Sequence, residues 1–268
     1  MEFLTPAFEQ HAVAGLLVGL LVGLVGVGGG SLMTPLLVLM FKVNPQTAVG
    51  TDLLYAAATK IAGSLVHNQR STVDWPIVRR LAMGSVPAAF VTLVALNHYG
   101  KVGKSAEHGI LIALAVMLVL TALTVVFQRR LTAYARLRDP VEGVGHTLAA
   151  TVVLGAVIGV VVTVSSVGAG AIGVTALLMI YPRLPVVRMV GTDIAHAVPL
   201  VLVAGAGHWL IGDVNADLLV SLLAGSIPGV IVGSLLSTRA PEDVLRPILA
   251  VVLAISAWQL FSKAFGHG

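Results

Sequence analysis

Apolar runs separated by short polar breaks make up nearly the whole chain. Four runs, near 12–41, 46–67, 78–98 and 108–128, precede a basic stretch, RRLTAYARLRDPVEG. Four more follow it, near 147–181, 188–210, 217–237 and 246–262. A helix needs about 20 consecutive apolar residues to cross a bilayer, and most of the runs have that length. The pattern predicts an all-α integral membrane protein with eight apolar segments. The first run of each half is long and holds a glycine cluster: GLVGVGGGSLMTP at 23–35 and SVGAGAIGV at 166–174. Glycine costs a helix about 1 kcal/mol relative to alanine, so each cluster is expected to break its helix. Broken backbone is tolerated at membrane depth only where protein or a water-filled cavity covers it.

Composition agrees with the pattern. Of 268 residues, 57% are hydrophobic and 10% charged, against about 25% charged in a soluble domain. There is no cysteine, so disulfides and thiolate metal sites are excluded. No GxxxxGK[ST] motif is present, and the glycine clusters do not read as nucleotide loops. The net charge of +4 belongs to individual loops and is not a nucleic-acid footprint. No cofactor and no metal are expected; the partners implied are the lipid bilayer and a small solute, with oligomeric state left open.

The two halves repeat each other. GlyThrAsp stands at 50–52 and again at 191–193, GSVP at 84–87 returns as GSIP at 225–228, and VGGGSL at 27–32 faces VGAGAI at 167–172. Three matches in one order, at offsets of 140 or 141 residues, indicate a duplication. The expected units are a first membrane repeat over 12–128, a basic cytoplasmic linker over 129–145 and a second membrane repeat over 146–262.

Charge then chooses a topology, because Lys and Arg gather in cytoplasmic loops. If every run crosses, the basic residues divide almost evenly between the two sides. If the long glycine-broken run of each half instead enters and returns on one side, Arg70, Arg79, Arg80, Arg129, Arg130, Arg136, Arg138, Arg183, Arg188, Arg239 and Arg246 share a side. Only Lys42, Lys101, Lys104 and Lys263 remain opposite. The loop HNQRSTVDWPIVRR (67–80) is basic, whereas its equivalent HWLIGDVNADLLVS (208–221) has no Lys or Arg and holds Asp213 and Asp217. The fold expected is two inverted repeats, each a re-entrant glycine-broken hairpin plus three transmembrane helices, with both termini outside.

Inverted repeats with interrupted helices are a transporter architecture. Half-helix N-termini offer free N–H groups and a partial charge of about +0.5, which suits an anion. Candidate binding residues are Gly28, Gly29, Gly30, Ser31 and Thr34 at the first break, and Ser165, Ser166, Gly168 and Gly170 at the second. Gly15, Gly19 and Gly23, spaced by four, read as helix-packing positions. Ionisable residues inside apolar helices are functional candidates by default. Asp52 and Asp193 occupy equivalent places and fit either helix caps or a coupling role. His196, equivalent to Tyr55, is a third coupling candidate. Lys60 is the one basic residue deep in an apolar run, and Val201 holds its place in the other half. It fits substrate binding or an ion pair with Asp52 or Asp193. His208, Trp209, His98 and Tyr99 read as interface residues at helix ends.

The duplicated units, GVGGGSLMTPLL, VGTD, SVGAGAIGV and the second VGTD together resemble the TauE/SafE family of sulfite and organosulfonate exporters, over about 12–262. That resemblance implies a multi-pass transporter of small sulfur-containing anions in the bacterial cytoplasmic membrane, driven by a proton or sodium gradient. It places the paired glycine motifs at Gly28–Gly30 and Gly168–Gly170. The second motif departs from the first in lacking a full triple glycine and a proline matching Pro35. Two other classes compete with a transporter. One is a channel or non-transporting membrane subunit. The other is an intramembrane hydrolase with Ser31 or Ser166 as nucleophile and His196 as base.

Overall fold

The computed structural model describes residues 6–25, 30–69, 71–99, 104–137, 144–168, 170–236 and 242–266. Among these residues there are ten helices and no strand. They are α1 (Pro6–Val25), α2 (Gly30–Leu39), α3 (Pro45–Gln69), α4 (Trp75–Tyr99), α5 (Lys104–Leu137), α6 (Val144–Ser165), α7 (Ala171–Ile180), α8 (Val186–Ile211), α9 (Ala216–Leu236) and α10 (Glu242–Ala264). Both glycine-rich runs break, each into a long helix followed by one of ten residues. Gly28 and Gly29 lie outside the described residues. In the second break Gly168 and Gly170 have φ of 122° and 136°, and Ser166 has φ 56°. Glycine takes such values without steric cost, which is why the chain leaves the helix there.

Among the described residues six helices are long and apolar enough to cross a membrane: α4, α5, α6, α8, α9 and α10. This set differs from the expected crossing runs by one exchange. Helix α3 is not among them: it carries Asp52 and Lys60, and most side chains of its last two turns lie outside what the structure describes. Helix α6 enters because it is uninterrupted over 22 residues, about 33 Å at the α-helical rise. The long limb of the broken run is therefore itself of spanning length, and the short limb is about half of it.

The short helices turn back toward the start of their long partners. The His11 and Phe41 rings meet edge-on at 4.7 Å, so the end of α2 lies beside the first turns of α1. In the second half the same positions, Thr151 and Tyr181, are joined by a hydroxyl hydrogen bond of 2.7 Å.

Side-chain-free positions set how the long helices pack. Helix α1 lies along α9, and α6 along α4. A Cβ on Gly15 would collide with the Leu222 carbonyl, and one on Gly19 with Ser226. One on Gly155 would collide with the Leu81 carbonyl, and one on Gly159 with Ser85. These contacts correspond pair by pair at offsets of 140 and 141 residues. Numbers rise together along each interface, so both pairs are parallel and each joins a helix of one half to a helix of the other. Small residues let backbones approach in this way. Helices α3 and α8 run antiparallel: Gly50 packs on His208 and Asp213, and Gly191 on Thr72. Helix α10 returns to the start of α5, where the rings of His108 and Phe265 meet at 5.6 Å.

The exterior is apolar and the interior carries the polar groups. Phe90, Val91 and Val94 on α4, and Ile248, Val251, Ile255 and Trp258 on α10, are exposed, while Asp52, Lys60, Asp193 and His196 are buried. That inversion of the soluble pattern is what a lipid solvent imposes, since polar side chains there must face other protein groups. The protein is a multi-pass membrane protein.

Candidate functional site

The GlyThrAsp motif positions the site, with a separate task for each residue. Its glycines, Gly50 and Gly191, let α3 and α8 approach the loop backbone of the other half. Its threonines accept a hydrogen bond from the first residue of a neighbouring turn: Asn215 N donates to Thr51 Oγ1 at 3.2 Å, and Asp74 N to Thr192 Oγ1 at 2.9 Å. Asn215 and Asp74 in turn accept the Leu218 and Ile77 amides, satisfying orphan donors at the starts of α9 and α4. Its aspartates point inward. Asp52 and Asp193 lie about two turns inside α3 and α8, fully buried, and cap neither helix. The capping expectation is thereby corrected: the helices begin earlier than GlyThrAsp, at Pro45 and Val186.

The two aspartates have different surroundings. Asp52 Oδ2 accepts a hydrogen bond from the Thr34 hydroxyl of α2. Val174 takes the place of Thr34 in the second half and has no donor to give. Asp193 instead lies against the start of α7, where a Cβ on Gly173 would strike its Oδ1 and the Gly170 amide stands beside it. Neither Asp193 oxygen has a hydrogen-bonding partner among the described residues.

Lys60 belongs to the same chamber. It is 6% exposed, and its Nζ has no hydrogen-bonding partner among the described residues. It interacts electrostatically with Asp193 and more weakly with Asp52, and also with His196. No ion pair within 4.0 Å forms between Lys60 and either aspartate among the described residues. Its amino group is thus committed to neither aspartate among the described residues.

His196 is fixed by a serine that sequence reasoning passed over. Its Nε2 lies 2.8 Å from Ser85 Oγ. Tyr55, its equivalent, lies 2.5 Å from Ser226 Oγ. Ser85 and Ser226 are the serines of the repeated GSVP and GSIP motifs, read from the sequence only as marks of the duplication. Their equal offset to Tyr55 and His196 was the signal available. Ser166 Oγ and His196 Nδ1 each have no hydrogen-bonding partner among the described residues, so no Ser166–His196 pair is formed; the Ser31 side chain lies outside what the structure describes.

The remaining candidates separate. Ser165 donates to Val161 O at 2.7 Å and accepts from Val167 N at 3.2 Å, so its hydroxyl closes the end of α6. Ser166 is buried with its Oγ unpartnered and stands beside Asp52. Gly30 and Ser31 form the first turn of α2. His208 is no interface residue. It is 1% exposed, with Nε2 at 3.0 Å from Thr163 O and Nδ1 at 3.4 Å from Asp213. Trp209 is half exposed. No group of three or more metal-ligating side chains occurs among the described residues.

The model of the family described as sulfite exporter TauE/SafE matches residues 11–260. A probable membrane transporter protein of Bacillus subtilis (strain 168), YjnA, is 38% identical over 252 residues, covering 92% of this chain and 96% of its own. A second from the same organism, YdhB, is 28% identical over 247 residues, covering 90% and 94%. A probable membrane transporter protein of Xylella fastidiosa (strain 9a5c) is 24% identical over 254 residues, covering 92% and 93%. No solved structure matches the chain.

Proposed function

The chain belongs to the sulfite exporter TauE/SafE family, and on that premise we propose that it is a secondary transporter exporting a small sulfur-containing oxyanion, sulfite or an organosulfonate, across the bacterial cytoplasmic membrane. A proton or sodium gradient supplies the energy. The observation that carries this reading is Lys60, a buried lysine whose Nζ has no hydrogen-bonding partner among the described residues and which interacts with Asp193, the aspartate that lies against the start of α7. The N-terminal amides of a helix and a fixed cation are the two elements an oxyanion needs. The substrate competes with Asp193 for them. Neutralising Asp193 therefore favours anion entry, and this links the anion to a coupling ion. Asp52 and His196 complete the set of coupling candidates. Gly168 and Gly170 let the backbone approach the anion at the second tip, and Gly28, Gly29, Gly30 and Ser31 supply the first.

The topology we infer is two inverted repeats whose glycine-broken hairpins enter from opposite sides. It is supported by the antiparallel run of the equivalent helices α3 and α8, and by the return of α2 and α7 to the starts of α1 and α6. In this arrangement all eleven arginines lie at one end, the cytoplasmic one, and both termini lie outside. Each long limb is gripped by a helix of the other half, which gives units able to rock around a midplane site.

The test is transport in proteoliposomes holding the purified chain, offered sulfite, sulfate, thiosulfate and sulfoacetate under imposed pH and sodium gradients. Saturable, gradient-driven flux with counterflow of one of the sulfur oxyanions is expected. Absence of flux for all four, or flux that neither saturates nor exchanges, overturns the proposal, the second result in favour of a channel.

A further inference from the structure

We infer that Asp52, Thr34 and Ser166 form a binding site for a sodium ion, in the chamber that also holds Lys60 but on atoms other than its amino group. The inference rests on the transporter reading for its setting, but on different atoms. Every side-chain donor here is oxygen. Asp52 is fully buried, with no hydrogen-bonding partner for Oδ1 among the described residues. Ser166 is 6% exposed, its Oγ likewise without a partner among the described residues, and stands beside that carboxylate. The Thr34 hydroxyl reaches Oδ2 from α2. Carboxylate and hydroxyl oxygens suit a small hard cation.

The electrostatics exclude an anion from the same place. Ser166 follows the last residue of α6, and the C-terminal end of a helix carries about −0.5 charge. That end and the Asp52 carboxylate both repel an oxyanion and attract a cation. Unwound backbone and half-helix C-termini hold coupling cations in other broken-helix transporters. Ser166 has the left-handed backbone, φ 56°, that starts such an unwound stretch. Thr34 and Ser166, read from the sequence as substrate hydroxyls, are thereby reassigned to the cation.

The broken symmetry of the repeat gives the second argument. Asp52 and Asp193 are equivalent, but their counter-charges are not. Lys60 on α3 interacts more strongly with Asp193 than with Asp52. The equivalent of Lys60 on α8 is Val201, 1% exposed, so the second half supplies Asp52 with no matching amino group. One half of the molecule carries its cation covalently, and the other takes it from solution. A buried carboxylate with one oxygen unmatched is costly when left alone, and a bound sodium ion removes that cost.

The experiment is thermal unfolding of the purified full-length chain in NaCl, KCl or N-methylglucamine chloride at one ionic strength, with no sulfur anion present. A ligand that binds only the folded state raises the midpoint as its concentration rises. Sodium is expected to raise it and potassium to leave it near the N-methylglucamine value. Ser166→Ala and Asp52→Asn abolish the sodium response, while Lys60→Met keeps it. Should Asp52→Asn fail to fold, Ser166→Ala, which removes one oxygen, decides. An equal response to sodium and potassium, or an unchanged sodium response in Ser166→Ala, overturns the inference. In proteoliposomes, Ser166→Ala raises the sodium concentration for half-maximal flux at least tenfold with less effect on anion saturation. Flux indifferent to sodium also overturns the inference and leaves the transporter reading standing. A sodium response in a chain that moves none of the four anions has the reverse meaning.

Discussion

Ser85 Oγ lies 2.8 Å from Nε2 of His196, tying a helix of the first half to the site helix of the second. The equivalent tie, Ser226 to Tyr55, measures 2.5 Å. Removing either serine hydroxyl leaves a buried polar group without its partner, at a cost of about 1–3 kcal/mol. Ser85→Ala and Ser226→Ala are each expected to lower the thermal midpoint of the purified chain. Midpoints equal to the parent would show that neither tie contributes to stability.

Gly155 and Gly109 make a matched comparison. A Cβ at Gly155 strikes the Leu81 carbonyl, which cannot move aside as a flexible side chain would; one at Gly109 meets nothing within 4 Å. Gly155→Ala is expected to force α4 and α6 apart and reduce the monodisperse peak in size-exclusion chromatography. Gly109→Ala leaves the peak unchanged or raises it, because alanine favours a helix by about 1 kcal/mol over glycine.

Lys60→Met removes the fixed cation. Loss of a charge-assisted contact lowers anion flux on the order of 10- to 100-fold. It also leaves Asp193 without a counter-charge, so adding Asp193→Asn is expected to recover part of the lost thermal stability without recovering flux. A double-mutant cycle measures that coupling. Additive effects on stability would mean that the two groups do not sense each other.

Val201→Lys places an ammonium on α8 where Lys60 stands on α3. It supplies Asp52 with the internal cation that the first repeat gives Asp193. Thermal midpoints of this variant are expected to be independent of sodium. A response as large as the parent's would show that the cation does not sit at Asp52.

Lys42 and Arg183 are exposed and follow the two short helices. The chain has no cysteine, so Lys42→Cys and Arg183→Cys each present a single thiol. In intact cells an impermeant reagent is expected to label the first and spare the second. Labelling of both from one side contradicts the inverted topology.

Much of the architecture was legible in the chain because lipid simplifies the code. Apolar runs must be helices, and glycine clusters within them must be interruptions, as α1–α2 and α6–α7 are. The spacing of Gly15 and Gly19 announced close packing, and the packing on Leu222 and Ser226 is its outcome. Segment limits were less legible. Asp52 looked like a cap because Thr and Asp are common cap residues, but the local start signal is Asn44–Pro45, where Asn44 Oδ1 accepts the Gln46 amide and Pro45 opens α3 two turns earlier. His208 looked interfacial because its partner, the Thr163 carbonyl, is 45 residues away in sequence.

From the sequence alone came the membrane class, the duplication, the positions of the breaks and the unusual character of Lys60. These depend on local composition and on matches along one dimension. Only the tertiary structure decided which helix of one half grips which helix of the other, that Ser85 and Ser226 hold His196 and Tyr55, and that Lys60 interacts with Asp193 of the other half. Those relationships join residues 74 or more positions apart, and no periodicity encodes the choice among partners. The glycine faces let the chosen backbones approach closely, because no Cβ stands between them.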